Sequence, residues 1–254
     1  LAVAGDRGWQ GLAQSRSLMR VGAFECDALT GAGVQALAAM PQLVDLEVAG
    51  KQLHDEDLVP LMDMQSLRAF CCGRGNVFTD KAYEYIARIP RLETLSTGIA
   101  RSIGDDATGY IARMPHLRKL HLSGWKMTDR TCELLADAPA LEDLSLKVRR
   151  LTDAGLPHLS RCPTLQRLKM DDCPFITEAG VATLKKGIEL DWNPGTVRNL
   201  IEAVIEDETV RDRAVQALAD RGHAAQQQLR VFVDIVPAQL REVFQRLLQP
   251  LETP

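Results

Sequence analysis

Leu151–Cys173 reads LTDAGLPHLSRCPTLQRLKMDDC, and close variants of it lie upstream. MTDRTCELLADAPALEDLSL covers Met127–Leu146, and LTGAGVQALAAMPQLVDLEV covers Leu29–Val48. Within these stretches an L-x-x-L-x-L frame recurs, with other apolar or small residues allowed at each place. It runs through Leu18/Val21/Ala23, Leu43/Leu46/Val48, Leu67/Phe70/Cys72 and Leu92/Leu95/Thr97, then Leu117/Leu120/Leu122, Leu141/Leu144/Leu146 and Leu165/Leu168/Met170. The first positions are 24 or 25 residues apart throughout. A fixed period of this length marks a stack of structural repeats, each too small to bury its apolar face alone.

Ten or eleven residues after each first Leu comes an apolar residue, usually Thr, then usually an acid: Phe78-Thr79-Asp80, Met127-Thr128-Asp129, Leu151-Thr152-Asp153 and Ile176-Thr177-Glu178. Thr or Asp there can accept a hydrogen bond from a free N–H of a first helical turn. Apolar residues follow at helical spacing, as in Ile86/Ile89, Leu134/Leu135/Ala138 and Leu156/Leu159. Pro41, Pro90, Pro115, Pro139 and Pro163 close these helices, because the residue before a proline is pushed out of the helical region. Pro157 is placed near the end of a first turn, where it costs at most about one backbone hydrogen bond.

These residues resemble the leucine-rich repeats of the LTDxGL, cysteine-containing type, similar to ribonuclease-inhibitor-like and bacterial repeat proteins. The resemblance covers about residues 1–193. It implies an α/β right-handed leucine-rich-repeat solenoid, with a parallel sheet on the concave side and helices on the convex side. The family carries a column of Asn or Cys just after each strand, which satisfies turn backbone groups. Here that column reads Cys26, Lys51, Gly75, Ala100, Trp125, Arg149 and Cys173, so an incomplete internal ladder and a locally irregular coil are expected.

Asp6–Leu18 aligns without a gap to Asp153–Leu165, so the chain opens inside an earlier repeat and is expected to be part of something longer. Leu190 falls in register as a last edge strand, and NPGT (Asn193–Thr196) punctuates the chain after it. From there periodicity is purely helical. Val197/Leu200/Ile201/Val204/Ile205 make one stripe and Val210/Ala214/Ala217/Leu218 a second, ended by Gly222. Leu229/Phe232/Val233 suggest a third helix, and Leu240/Val243/Phe244/Leu247/Leu248/Leu251 a fourth, opened by Pro237. VRDRAVQALADRG resembles a HEAT-like hairpin. The plainer expectation is a small all-α bundle capping the last repeat, since a stack must cover its ends. The boundaries expected are 1–195 for the solenoid and 196–254 for the helical segment.

A formal net charge of −4 and a pI near 5.8 offer no general attraction to nucleic acid or an anionic membrane. No apolar run approaches the ~18 residues of a membrane span. Cys26 and Cys173 share a column six strands apart, roughly 29 Å, beyond disulfide reach. Cys71 and Cys72 are adjacent and face opposite sides of a strand. Cys132 and Cys162 fall on helical segments. Reduced structural thiols and a cytoplasmic location are therefore expected. The histidines, at 54, 116, 121, 158 and 223, form no metal-binding motif, and no nucleophile elbow or phosphate-binding loop appears. TGAG at Thr30–Gly33 and CCGRG at Cys71–Gly75 lie where the repeat already needs turns. We expect no cofactor, no metal and no catalytic residue.

The informative positions are the x residues of L-x-x-L-x-L, which strand alternation sends to the open face of the sheet. The single x gives Gly22, Glu47, Cys71, Ser96, His121, Ser145 and Lys169. The two preceding columns contain Arg20, Arg68, Glu93, Arg118, Lys119, Glu142 and Asp143. Arg118, Lys119 and His121 make the densest basic patch, with Trp125 following in the turn. Mixed sign along this face suits a protein partner and not nucleic acid, which wants a uniformly basic stripe. The expected function is non-catalytic protein recognition through the concave face, at Arg20, Glu47, Arg68, Glu93, Arg118, Lys119, His121, Trp125, Glu142, Asp143 and Lys169. The alternatives are the substrate-receptor or sensor arm of an enzyme system, and a structural spacer.

Overall fold

The computed structural model describes residues 5–23, 26–73, 77–98, 100–194, 196–232 and 236–248. Gly75, Val233 and Leu251, named above, and Gly195 of NPGT lie outside them, as does the side chain of His223. The described strands are β1 (Arg20–Ala23), β2 (Asp45–Val48), β3 (Ala69–Cys72), β4 (Thr94–Ser96), β5 (Ala100–Gly104), β6 (Lys119–Lys126), β7 (Asp143–Lys147), β8 (Arg167–Cys173) and β9 (Glu189–Pro194). All but β5 join in chain order into one open parallel sheet, and β5 pairs off that path with the far end of β6.

Helices return the chain between strands. They are α1 (Asp6–Leu12), α2 (Gly31–Ala38), α3 (Asp80–Ile86), α4 (Asp105–Ile111), α5 (Asp129–Leu135), α6 (Leu156–Leu159) and α7 (Glu178–Val181). Between β2 and β3 a 3₁₀ segment, Asp55–Asp63, takes this place. Pro60 lies inside it, where its ring would crowd the carbonyl four residues back in an α-helix. Pro157 sits at the start of α6, after a 3₁₀ turn at Asp153–Gly155. Helices are about 10 Å across and strands ~4.8 Å apart, so a stack with strands on one side curves with the sheet inward. The fold is an α/β leucine-rich-repeat solenoid.

The repeat leucines fill its interior. Leu43, Leu46, Leu67, Leu95 and Leu144 are fully buried, each worth roughly 1.5–3 kcal/mol, while Leu18 of the first coil is partly buried. Thr97 occupies a leucine position and is buried too. Its hydroxyl accepts from the Ser123 amide at 2.9 Å and donates to the Ser123 carbonyl at 3.2 Å, so no polar atom is stranded there. Beside it the coil is irregular. Gly98 has φ +62, and a Cβ at that position would run into the Cys72 carbonyl.

The Thr-Asp pair divides its work in a way helix capping alone does not foresee. Each Thr accepts from its own helix, as Thr79 does from the Lys81 amide and Thr128 from the Arg130 amide. Each Asp reaches the next coil. Asp55 accepts from the Thr79 amide at 2.8 Å and from its hydroxyl at 2.6 Å; Asp105 does the same for Thr128 at 3.0 and 2.7 Å, and Asp153 for Thr177 at 2.8 and 2.6 Å. Asp6 to Thr30 and Asp129 to Thr152 repeat the geometry, while Asp80 holds the Gly104 amide at 2.7 Å. This ladder adds to the inter-coil bonds of the Asn/Cys column, where the Cys173 thiol donates to the Leu146 carbonyl. It skips one step. Gly31 stands where an Asp is needed, and the carboxylate of Asp57 folds over it to take the His54 amide at 2.8 Å.

After β9 the chain forms α8 (Val197–Glu206), α9 (Arg211–Asp220), α10 (Gly222–Phe232) and α11 (Ala238–Leu247). These helices enclose a second core of Leu200, Ile201, Val204, Ala214, Leu218, Leu229, Leu240 and Phe244, which Phe175 joins from the solenoid. The bundle's ion pairs to the solenoid run to the rim at the C-terminal ends of β7 and β8, where Arg149 meets Glu202 and Glu206 and Arg150 meets Asp207. Leu190 and Trp192 of β9 pack, partly buried, on the solenoid core. These pairs and Phe175 join the bundle to the last coils.

A candidate protein-binding face

The sheet holds its outward residues in two straight rows. One row is Arg20, Asp45, Ala69, Thr94, Lys119, Asp143, Arg167 and Glu189; the other is Gly22, Glu47, Cys71, Ser96, His121, Ser145, Lys169 and Asp191. Parallel register sets each step at ~4.8 Å, so the face spans about 34 Å from β1 to β9. The column one place earlier enters the sheet through its amides. The Arg68 amide donates to Val44, Glu93 to Arg68, Arg118 to Glu93 and Glu142 to Arg118, each at 2.8 or 2.9 Å.

Opposite charges on neighbouring strands pair along this face. Arg20 meets Asp45 at 3.9 Å, Arg68 meets Glu93 at 3.6 Å, Arg118 meets Glu142 at 3.6 Å and Arg167 meets Asp143 at 3.2 Å. Lys169 lies 3.2 Å from Asp191 and 3.4 Å from Asp171. The hydrogen bond from Lys169 to Asp191, with the charges of both acids, holds its ammonium above the usual lysine range. Glu47 is pushed up by burial, drawn back by the Cys71 thiol and raised again by the charge of Asp45. Thus Arg20, Glu47, Arg68, Glu93, Arg118, Lys119, His121, Glu142, Asp143 and Lys169 share one surface. The basic patch expected on β6 is partly neutralised, since Arg118 is matched by Glu142.

Trp125 belongs elsewhere. It stands near the end of β6 with the Arg149 guanidinium 4.8 Å from its ring centroid. Arg149 also reaches Asp172 at 3.4 Å, Glu202 at 2.9 Å and Glu206 at 2.8 Å. Burial works against its charge, yet Asp172 and Glu206 raise its pKa. Arg150 grips Asp207 at 2.7 and 3.1 Å. Asp172 adopts φ +52 at the bulge of β8, where it meets Lys147 at 3.8 Å and accepts from the Asn199 amide group. Sequence reasoning missed this network. Its signal was present in Arg149-Arg150 after β7 and in the Glu202/Glu206 spacing on one face of α8.

Among the described residues no cluster of His, Cys, Asp and Glu is arranged to hold a metal ion, and no helix is long and apolar enough to cross a membrane. A cleft of about 520 Å³ lies between α9 and the rim, lined by Phe175, Thr177, Arg213 and Arg221, and one of about 650 Å³ lies on the helical side around Arg113, Arg130 and Arg161. Neither opens on the sheet face, which is broad and shallow.

No protein-family model matches the sequence, and a comparison with curated proteins finds no match. Among solved structures the chain is similar to one from a Rad7 and Elc1 complex in yeast, at 14% identity and TM-score 0.39, over 73% of this chain and 77% of that one. It is also similar to an internalin (inlF) from Listeria monocytogenes, at 18% identity and TM-score 0.47. That match covers 72% of this chain and 57% of the internalin.

Proposed function

We propose that this chain is a non-catalytic protein-recognition module that engages its partner through the sheet face, as part of a larger chain or complex. The observation that carries the reading is the register that the two outward rows keep from β1 to β9, which presents mostly polar side chains on a rigid backbone. Such a surface is too open to enclose a small molecule, and its prior order lowers the entropic cost of binding a protein. Cross-strand charge pairs hold long side chains in place and present mixed sign, which favours a polar partner of mixed sign. Interior thiols suit a reducing compartment, and a cytoplasmic location belongs to this reading.

A photo-crosslinking residue tests this when placed at His121 on the sheet face and, in a second variant, at Arg113 on the helical face. Protein adducts should form at His121 and be lost on Arg118→Glu with Lys169→Glu. Adducts formed only at Arg113 would place the partner on the helices and overturn the reading.

A further inference from the structure

The cross-strand pairing leaves two charges over. In the rows from β1 to β8, Arg20, Asp45, Asp143, Arg167 and Lys169 each have an ionic partner. Glu47 on β2 and Lys119 on β6 have none among the described residues, although both belong to the same face. Their row neighbours explain why. Glu47 stands between Gly22 and Cys71, and Lys119 between Thr94 and Asp143, whose carboxylate is taken by Arg167.

Between the two charges lie only small side chains: Ala69 and Cys71 on β3, Thr94 and Ser96 on β4. The sheet therefore has a trough two strands wide, walled by Glu47 on one side and by Lys119 and His121 on the other. From β2 to β6 is three steps, about 14 Å. The floor is polar, with two hydroxyls and a thiol, and its short side chains let a peptide backbone come close. A helix docking by an apolar stripe would find little to bury there, whereas an extended chain brings its own backbone donors and acceptors. An extended chain rises ~3.3 Å per residue, so four residues span the trough.

We propose that an extended segment of the protein partner crosses β3 and β4, setting a basic side chain on Glu47 and a carboxylate on Lys119, about four residues apart. This rests on the sheet-face reading and adds the chemistry of the partner. Glu47 is partly buried, and a carboxylate that has lost some of its water attracts an arriving cation more strongly. His121, one pleat along from Lys119, offers a ring nitrogen to the same carboxylate. The matched pairs Arg68–Glu93 and Arg118–Glu142 border the trough where the strands begin and add no net charge.

The test is selection of a phage-displayed library of random peptides, about twelve residues long, on the intact chain. Cys71 reports occupancy, because it is half-exposed in the floor while the other five cysteines are buried. Selected peptides should carry Lys or Arg and Asp or Glu three to five residues apart and should shield Cys71 from a maleimide. Glu47→Lys and Lys119→Glu, each alone, should weaken them about tenfold or more. Arg88→Glu with Arg113→Glu on the helical face should not. Peptides that shield Cys71 without such a pair, or that ignore both substitutions, overturn the inference and leave the sheet-face reading intact. Peptides that leave Cys71 reactive and respond to the helical-face pair overturn both. Selection that yields no binder counts against the inference as well.

Discussion

Asp129 of one coil and Thr152 of the next are joined twice, carboxylate to amide at 2.7 Å and carboxylate to hydroxyl at 2.6 Å. The same Thr152 hydroxyl then accepts from the Ala154 amide at 3.3 Å, so one side chain links the coils and opens the following helical turn. Coupling between coils is thus carried by directional bonds as well as by the leucine columns.

Removing Asp129 should cost stability through both partners. Asp129→Ala strips acceptors from a partly buried amide and hydroxyl, and should destabilise by ~1–3 kcal/mol. Gly31→Asp is the informative contrast. It restores the missing carboxylate only by colliding with Asp57, so it should destabilise despite completing the motif. Chemical denaturation of the two variants decides the matter, and a stabilised Gly31→Asp would show that Asp57 is free to move.

The leucine columns make a separate demand. Leu144 is fully buried between Leu120 and Leu168 in adjacent strands. Leu144→Ala should destabilise by ~2–5 kcal/mol. Because each coil leans on its neighbours, amide exchange in β6 and β8 should rise along with that in β7. Exchange confined to β7 would contradict this coupling.

Charge pairs join the bundle to the rim, where Arg149 meets Glu202 and Glu206. Arg149→Ala leaves Asp172, Glu202 and Glu206 facing one another, so amide protection in α8 should fall. Salt at about 1 M shortens screening to ~3 Å and should act in the same direction, though less on the buried contacts. Protection in α8 that survives Arg149→Ala would mean that Phe175 and its apolar neighbours hold the bundle alone.

Acid should loosen the same contact. Burial pushes the Asp207 carboxyl up, but hydrogen bonds from Thr209 and Arg150 outweigh it and leave the pKa below the ordinary value. A depressed folded pKa stabilises above the unfolded value, ~3.9, and that contribution is lost as pH falls through the folded one. Protection in α8 should therefore hold from neutral pH to about 5 and decline below about 4. In Asp207→Asn the decline should be shallower.

Thiol reactivity should separate the cysteines. Burial pushes Cys72 and Cys173 up to about 12, so neither carries appreciable thiolate near neutral pH. Cys71, half-exposed, should react first and slowly, its own thiol also raised by burial. All six should titrate once the chain is unfolded. Rapid native labelling of Cys72 would show that the coil opens there.

The solenoid was legible in the sequence because its cause is local and repeated. A period of 24 or 25 residues places each Leu column, each Thr cap and each closing proline, and strand alternation then assigns the outward rows. Glu47 and His121 could be placed on one face without a structure for that reason. Which charges remain unmatched could not be read, because pairing depends on the reach of long side chains between strands some 24 residues apart. Arg118 looked like part of a basic patch until Glu142 was found beside it. The helical stripes after Thr196 likewise announced a bundle but not its seat. That was decided by Arg149 and Arg150, which reach Glu202, Glu206 and Asp207 more than fifty residues away, and by Phe175, which joins the bundle's core from the solenoid. Contacts between units follow no period, so only the folded chain brings them together.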